Sequence, residues 1–241
     1  MAISFVSDAS AQDSSGTSIN TGEPAGAQDG DFMLFAGHIN SNTNDGDWNV
    51  PADFTSLIVK DETAGTPDNQ IIVAYKIRSG GAGSGYNFGY SGAAKPMAGV
   101  ILCYRGVDPV TPFDVTYVEA DHYVVYTNGA NGAAKAITTV TNGAEVVLFQ
   151  FMNQSISGPV GMPSGYTERE SIQMTASGRG MTSCSKNIAV AGLETPGAWT
   201  HTDTNGNTDP SNITLALRPF VVAGYVNPFI GKLGRPFRGK L

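Results

Sequence analysis

Histidine, serine and cysteine are the residues of this chain from which nucleophilic hydrolysis could be built. Such a site needs a Ser or Cys beside a His that a carboxylate orients. The histidines are His38, which closes an apolar run, His122, and His201, which lies in the polar segment WTHTDT. The glycine-rich segment around Ser84 reads GGAGSG, which is not the G-x-S-x-G of a nucleophile elbow. The sequence therefore predicts no hydrolase and, more broadly, no enzyme.

The two cysteines and the acidic residues offer two further kinds of chemistry. Cys103 and Cys184 lie in separate apolar runs without a CxxC or Cys-His spacing, so a zinc site has no support. Two buried free thiols are the favoured interpretation, and a single disulfide is the alternative. Paired carboxylates for glycoside cleavage stay open, because distances across a β-fold cannot be read from sequence spacing.

Residues 203–209 are the strongest candidate for a metal site. Side-chain oxygens recur there at every second residue, from Asp203, Asn205, Asn207 and Asp209. Loops of this kind can wrap oxygen ligands around calcium. The segment lacks the glycine at position six and the distal bidentate glutamate of an EF-hand loop, and Asn-Gly is ordinary turn chemistry. A plain loop is therefore the favoured interpretation and calcium the alternative, and the sequence predicts no cofactor.

Two tryptophans lie in polar, loop-rich segments, where aromatic rings can stack on the C–H faces of sugars. Trp48 follows SNTNDGD, and Trp199 precedes THTDTNGN. These rings are either partly exposed platforms or core residues, and the sequence favours neither outcome. Exposed rings would indicate a carbohydrate-binding or receptor-binding adhesive module, with a glycan of a host surface as its ligand.

Residues 220–241 differ from the rest of the chain in charge and composition. They contain four cations and no acid, whereas the whole chain has a formal charge of −7, so the preceding residues carry −11. Prolines and glycines there exclude a regular helix or a central strand. An apolar, cationic segment that cannot fold alone is typical of a docking arm, although it could also fold back on its own acidic domain. The residues expected to bind a partner subunit are Tyr225, Phe229, Ile230, Lys232, Leu233, Arg235, Phe237, Arg238 and Lys240.

Composition excludes several classes of protein. The chain has 241 residues, of which 41% are hydrophobic and 15% charged, and 30 residues are glycine. This mixture argues against coiled coils, helical bundles and charged disordered chains. The net charge of −7 disfavours nucleic acid as a partner, and no apolar run is long enough to span a membrane. The first residues lack the features of a secretory signal, so we expect assembly in the cytoplasm of the cell that makes the protein.

Short β-forming runs separated by Gly, Asn, Asp, Ser and Pro dominate the sequence, and helix signals are close to absent. Ten or more such runs predict an all-β fold in the form of a single antiparallel β-sandwich. The strongest predicted strands are residues 31–39, 54–60, 70–78, 97–104, 135–141, 145–152, 184–191 and 212–218.

The two halves of the chain resemble each other. GDFMLFAGHI, PADFTSLIVKDE, NQIIVAYKIR and MAGVILCYRG in the first half match GAEVVLFQFM, PSGYTERESI, SKNIAVAGLE and SNITLALRPF in the second. Half a sandwich would leave an apolar face uncovered, so we expect the halves to pack on each other. The predicted organisation is an N-terminal segment with a first edge strand near residues 3–6 (1–27), a sandwich (28–219) with pseudo-repeats at about 28–106 and 143–219, and the C-terminal arm (220–241).

These phrases also carry a resemblance to a known module. GDFMLFA, PADFT, VILCYRGVD and LALRP resemble phrases of a jelly-roll-like β-sandwich module found in structural proteins of tailed phages, over residues 28–219. The resemblance implies a non-enzymatic virion protein: a capsid decoration, head-fibre or tail-associated protein that docks on capsid or tail subunits. It also implies a homo-oligomer, with a trimer as the expected state, and it carries over no catalytic residues.

Overall fold

Alternation of apolar and polar residues produces β-strands along most of the chain. The computed structural model describes residues 2–40, 46–62, 69–81, 83–126, 132–152, 156–174, 180–203 and 210–221. Within these residues, the one helix has four residues and cannot cross a lipid bilayer. In chain order the elements are β1 (Ser4–Gly16), β2 (Ser18–Thr21), β3 (Phe32–Asn40), β4 (Trp48–Asn49), β5 (Thr55–Glu62), β6 (Asn69–Ile77), β7 (Tyr86–Tyr90), β8 (Lys95–Arg105), α1 (Glu119–His122), β9 (Tyr123–Val125), β10 (Ile137–Thr138), β11 (Ala144–Met152), β12 (Ile156–Gly161), β13 (Thr167–Gln173), β14 (Gly180–Ile188), β15 (Leu193–Glu194), β16 (Thr200–Asp203) and β17 (Pro210–Leu217).

The two main sheets have the same strand order. The first half of the chain forms a five-stranded antiparallel sheet in the order β1-β8-β3-β6-β5. The second half forms another, which reads β9-β17-β11-β14-β13 from its corresponding edge. The predicted antiparallel β-sandwich of two pseudo-repeated halves is confirmed. Each half of the chain forms one main sheet by itself. The structure therefore resembles a jelly roll in having two packed sheets, and not in the order of its strands.

Each half enters its central strand from the same glycine turn. Gly30 and Gly143 adopt φ values of 91° and 80°, a region that side chains disfavour. The Gly30 N–H donates to the Arg78 carbonyl at 2.9 Å, and the Gly143 N–H donates to the Ile188 carbonyl at 2.8 Å. These bonds fix the register of β3 against β6 and of β11 against β14 in the same way.

The P-x-x-aromatic-Thr phrases form equivalent turns as well. The Phe54 N–H donates to the Pro51 carbonyl at 2.9 Å, the Tyr166 N–H donates to the Pro163 carbonyl at 3.1 Å, and both rings are buried. One match between the halves is wrong, because the counterpart of NQIIVAYKIR is β14, which begins at Gly180, and not SKNIAVAGLE. β14 is largely buried although its sequence, GMTSCSKNI, is rich in hydroxyl side chains. Its polar composition therefore conceals its position in the core from a sequence-based prediction.

Apolar side chains form three connected layers. The inner faces of the main sheets pack on each other, with Leu34 and Leu102 of the first sheet and Phe149 and Leu215 of the second among the buried residues. The small sheet β2-β7-β4 covers the outer face of the first sheet. The strands β10 and β12 help to cover the outer face of the second. Both halves are therefore needed for the central core, as the sequence predicts.

The N-terminal segment is part of the sandwich. β1 pairs with β8 along its length, so it is a full edge strand and not the short run near residues 3–6 that the sequence indicates. β2 joins the small covering sheet through β7. The signal for β1 is weak because an edge strand is only partly covered, and SDASAQDSSG therefore contains few large apolar residues.

The edge strands β1 and β13 meet along one side of the sandwich, where two carboxyl groups approach each other. Glu170 Oε2 accepts a hydrogen bond from the Ser10 hydroxyl at 2.8 Å, and Glu170 Oε1 accepts one from the Ser171 N–H at 2.7 Å. Burial, together with the hydrogen bond to Glu170 and its negative charge, raises the pKa of Asp8 to about 6. The fold therefore opposes the ionisation of Asp8 beside Glu170.

Asp8→Asn is expected to stabilise the protein at neutral pH. Because the pKa of Asp8 is raised from 3.8 to about 6 in the fold, stability falls as the pH rises through this range. After solvent screening of this partly exposed group, ionisation costs about 1 kcal/mol, so the variant should gain about 2–4 °C in Tm at pH 7.5. At pH 4 the Asp8→Asn variant and the parent protein should have the same Tm. Thermal melts at both pH values test this, with the exposed Asp61→Asn as control; an equal gain in both variants contradicts it.

Candidate docking surface

Several side chains that could carry catalytic chemistry are interior. His38 lies between the main sheets, with its ring centroid 5.9 Å from that of Phe151. Cys103 and Cys184 are free and buried, which confirms the predicted thiols. Burial raises the pKa of the Cys103 thiol to about 12 and also raises the pKa of Cys184. Neither cysteine therefore supplies a thiolate nucleophile at neutral pH.

Both tryptophans are core residues. Trp48 is 7% exposed and packs edge-on against Phe35, with ring centroids 6.0 Å apart, and Trp199 is fully buried. A sugar stacks only on an exposed ring face. Of the two alternatives that the sequence leaves open for Trp48 and Trp199, the structure shows the core position, so neither ring is a glycan platform. Their polar flanks suggested exposed loops, but these segments lie at the short strands β4 and β16, which cover the main sheets.

Two groups of candidate residues fall largely outside the described part of the chain. Asp203 ends β16, whereas Asn205, Asn207 and Asp209 lie outside the described residues. The nine expected docking residues between 225 and 240 also lie outside them. Among the residues that the structure does describe, no group of three His, Cys, Asp or Glu side chains is placed to hold a metal ion. The calcium and arm hypotheses both stay predictions.

Backbone contacts hold the last described residues, 219–221, against one end of the sandwich. Val107 and Pro219 form an antiparallel bridge, and the Phe220 N–H donates to the Gly106 carbonyl at 2.7 Å. The Asp108 N–H donates to the carbonyl of residue 218 at 2.9 Å. The chain segments that follow β8 and β17 therefore pair at one end of the sandwich, and the sequence continues from there into residues 222–241.

Polar contacts join two neighbouring segments to this exit. Asp114 Oδ2 accepts hydrogen bonds from the N–H groups of Val140 at 2.6 Å and Thr141 at 3.2 Å. Asp114 Oδ1 lies 3.7 Å from the Nε of Arg218, and Arg218 Nη1 donates to the Thr111 hydroxyl at 3.1 Å. The loop after β8 and the loop before β11 are thus held against the end of β17.

The loop after β14 completes this end of the molecule. The Thr139 N–H donates to the Gly192 carbonyl at 2.9 Å, and the Gly192 N–H donates to the Thr139 hydroxyl at 3.1 Å. The Ala191 N–H donates to Asn142 Oδ1 at 2.8 Å. Three loops that are distant in sequence and the exit of the chain therefore form one connected surface.

This surface exposes large apolar side chains. Six of the nine exposed large hydrophobic residues in the described part of the chain lie on it. Contiguous exposed apolar residues on a domain of this kind mark interaction sites more often than single scattered ones do. We call this group the apolar end surface, and its residues are Val110 (85% exposed), Val140 (63%), Val190 (74%), Leu193 (71%), Phe220 (39%) and Val221 (64%).

A cavity of about 300 Å³ opens beside Phe220 on the apolar end surface. Val107, Pro109 and Phe220 contribute its apolar lining. Its polar wall is an ion pair in which Arg105 Nε and Nη2 donate to the two Asp31 carboxylate oxygens at 2.9 and 2.7 Å. A cavity of this volume and lining can accept one large apolar side chain from a partner, which is the usual form of an interface anchor.

The sequence carries only a weak signal for this surface. Val110, Val140 and Leu193 are single apolar residues within VDPVTP, TTVTNG and AGLETP, where turn-forming residues dominate. Single apolar residues in turns are common and usually have no binding role. Only the fold brings these residues together, because the three loops come from separate parts of the second half and the connection.

No family model, curated protein or solved structure matches this chain. The resemblance to a phage module therefore depends on its short phrases alone. In the fold, GDFMLFA starts at the Gly30 turn and PADFT forms the turn before β5. VILCYRGVD and LALRP end at the bridge between Val107 and Pro219.

Proposed function

We propose that the protein is a non-enzymatic assembly subunit that docks through one end of its sandwich, and more specifically a structural protein of a tailed-phage virion. Within that class, a capsid decoration, a head-fibre protein and a tail-associated protein all fit. The apolar end surface is the observation that carries the docking role. The phage-module phrases of residues 28–219 support the virion assignment.

The apolar end surface and the C-terminal segment are continuous in sequence, so they can dock as one unit. Phe220 and Val221 belong to the surface and lead directly into residues 222–241, which contain further large apolar residues. Each such side chain contributes about 1.5–3 kcal/mol when it is fully buried against a partner. The ordering of the chain opposes part of this gain. Several side chains are therefore needed for stable attachment, and this region supplies them.

Charge complementarity supports a neighbour that is itself acidic. The segment 220–241 carries four cations and no acid, whereas residues 1–219 carry a formal charge of −11. A second copy of this chain or an acidic shell protein would attract the segment. Such pairs contribute orientation and association rate more than affinity, and salt screens them. We therefore expect attachment to weaken at high ionic strength without being abolished.

Symmetric copies would strengthen attachment further. Phage structural proteins of the kind proposed act as oligomers, and we propose a trimer for this chain. When three weak docking contacts are linked, the second and third form at a high effective concentration, so overall avidity exceeds that of one contact. The acidic, glycine-rich sandwich would then face the surrounding solution.

Mass spectrometry of purified phage particles tests the virion assignment. We expect the protein to be present, and its copy number relative to the major shell protein to identify its place. Hundreds of copies would indicate capsid decoration, and a handful would indicate a tail or fibre role. Absence from particles that contain the other structural proteins of the same phage would overturn the assignment.

A further inference from the structure

The pseudo-repeat is interrupted at one place. In the first half, β1 is a single strand that pairs with β8 from Ser4 to Gly16, with irregularities in register between Phe5 and Ser7 and between Asp13 and Gly16. Its counterpart in the second half starts at Phe113, which bridges to Leu217, and resumes only with β9 beside β17. The residues between them leave the sheet edge and include α1. An insertion of this kind is not a general part of the repeat, because the edge strand of the first sheet has none.

This insertion forms one wall of a cavity of about 440 Å³. The other wall comes from residues 135–138, which include β10. The volume is within the range of small-molecule sites in proteins. The lining combines apolar and polar side chains, and those that matter for binding are Val115, Thr116, Asp121, His122, Lys135 and Ile137.

His122 is the buried polar group of this cavity. It is 3% exposed, and its Nδ1 lies 2.8 Å from the Val118 carbonyl oxygen and 3.1 Å from the Val118 nitrogen. We assign the shorter contact as an Nδ1–H donor, which leaves Nε2 as an acceptor. Nε2 has no hydrogen-bond partner, although buried polar atoms are almost always paired. His122 therefore gives the cavity a polar inner wall, which suits a polar ligand, although Nε2 itself has almost no accessible surface.

The remaining polar groups favour the same kind of ligand. The carboxylate of Asp121 accepts hydrogen bonds, the ammonium of Lys135 donates them, and the hydroxyl of Thr116 does both. Val115 and Ile137 supply apolar contact beside them. A ligand that suits this set carries several hydroxyl groups on a compact ring with apolar C–H faces.

We propose that this cavity binds a single saccharide unit. Neutral hydroxyls of the sugar would donate to the Asp121 carboxylate, and Lys135 would donate to a ring or hydroxyl oxygen. An ion pair between Lys60 and Glu119 joins α1 to β5 on the protein surface. The site is separate from the buried tryptophans, and it does not depend on the docking role of the apolar end surface.

Amide chemical-shift mapping of the full chain tests the proposal. The probes are the methyl glycosides of glucose, galactose, mannose and N-acetylglucosamine, and N-acetylneuraminic acid, each titrated to 20 mM. We expect at least one probe to shift amides in residues 115–122 and 135–138, with a dissociation constant in the millimolar range that is typical of single sugar units. No shift with any probe, or shifts confined to other parts of the chain, would overturn it.

Point variants check that the named groups make the contacts. Asp121→Asn and Lys135→Met should each weaken binding about tenfold, because each removes a charged hydrogen-bonding group from the cavity. Glu168→Gln replaces an exposed carboxylate on β13 and is the matched control, with binding expected to be unchanged. Asp121 is exposed, so Asp121→Asn should fold as the parent does, and its loss of binding reports on the site alone. Equal affinity in Asp121→Asn, Lys135→Met and the control contradicts the site.

Discussion

A chain that ends at Val221 is expected to fold as the full-length protein does and to be lost from assembled particles. The last contacts of the sandwich are the bridge between Val107 and Pro219 and the bond from the Phe220 N–H to the Gly106 carbonyl. Truncation after Val221 preserves both. It removes the cationic, apolar segment that we propose as the docking arm, together with all nine of its expected contact residues.

The expected loss is large because several side chains act together. Two buried apolar side chains, at about 1.5–3 kcal/mol each, already correspond to a loss of at least about a hundredfold in affinity. Particles that lack the protein can be incubated with either chain, and the bound fraction measured after sedimentation. Circular dichroism and thermal melting measure whether the truncated chain is folded, and we expect its Tm to lie within about 2 °C of the full-length value.

Substitutions on the apolar end surface separate its role from that of the arm. Val110→Asp and Leu193→Asp place charges on the surface without disturbing buried residues, since both side chains are more than two-thirds exposed. Each should reduce particle binding about tenfold. Val59→Asp is the matched control, because Val59 is an exposed valine on β5, away from these loops. Normal particle binding by the truncated chain would contradict the docking arm, and normal binding by both surface variants would contradict the apolar end surface.

Much of the sandwich can be predicted from sequence because buried strands alternate and turns have few chemical solutions. The strand that contains Phe32 and the strand that contains Leu148 were identified in this way, and each ends within a few residues of its predicted bounds. The repeat between the halves could also be read, because the Gly30 and Gly143 turns need the same backbone conformation. The edge strand β1 could not, since a strand covered on one side has no strong apolar signal.

The candidate sites were less predictable because they depend on contacts between distant loops. Val110 and Leu193 belong to one exposed apolar surface only because the fold brings their loops together at one end of the sandwich. His122 was dismissed as a catalytic residue, and no local pattern shows that it lines a cavity. Trp48 presents a different difficulty. The residues before it in the sequence are polar, but the small sheet to which it belongs buries its side chain.

Gly99→Ala is expected to cause a large loss of stability in the first sheet. Gly99 and Gly37 are opposite each other on β8 and β3, and the Phe35 ring lies across both. A Cβ at Gly99 would be 2.6 Å from both Phe35 Cε2 and Ile19 Cδ1. The Phe35 ring cannot move away, because it stacks on Phe88 with centroids 3.4 Å apart.

The second half shows why these two glycines are specific to the first. From the matching registers, Gln150 and Asn212 occupy the places of Gly37 and Gly99, and they too are opposite each other. Leu148 takes the place of Phe35 there, so no phenyl ring from that position crosses the pair and side chains fit, although their amide groups are buried without hydrogen-bond partners. The glycines are therefore required by the Phe35 ring and not by the strand geometry.

We expect Gly99→Ala to cost about 3 kcal/mol, since a methyl group in a filled core forces backbone and ring shifts. For a domain of this size, that corresponds to a fall of about 6–12 °C in Tm. Gly22→Ala is the matched control, because a Cβ at Gly22 meets nothing within 4 Å, and its Tm should stay within about 2 °C of the parent. A double variant with Phe35→Leu should recover part of the loss, because the smaller side chain makes room for the new methyl group. Equal melting of Gly99→Ala and the control would show that Phe35 does not pack over this glycine pair.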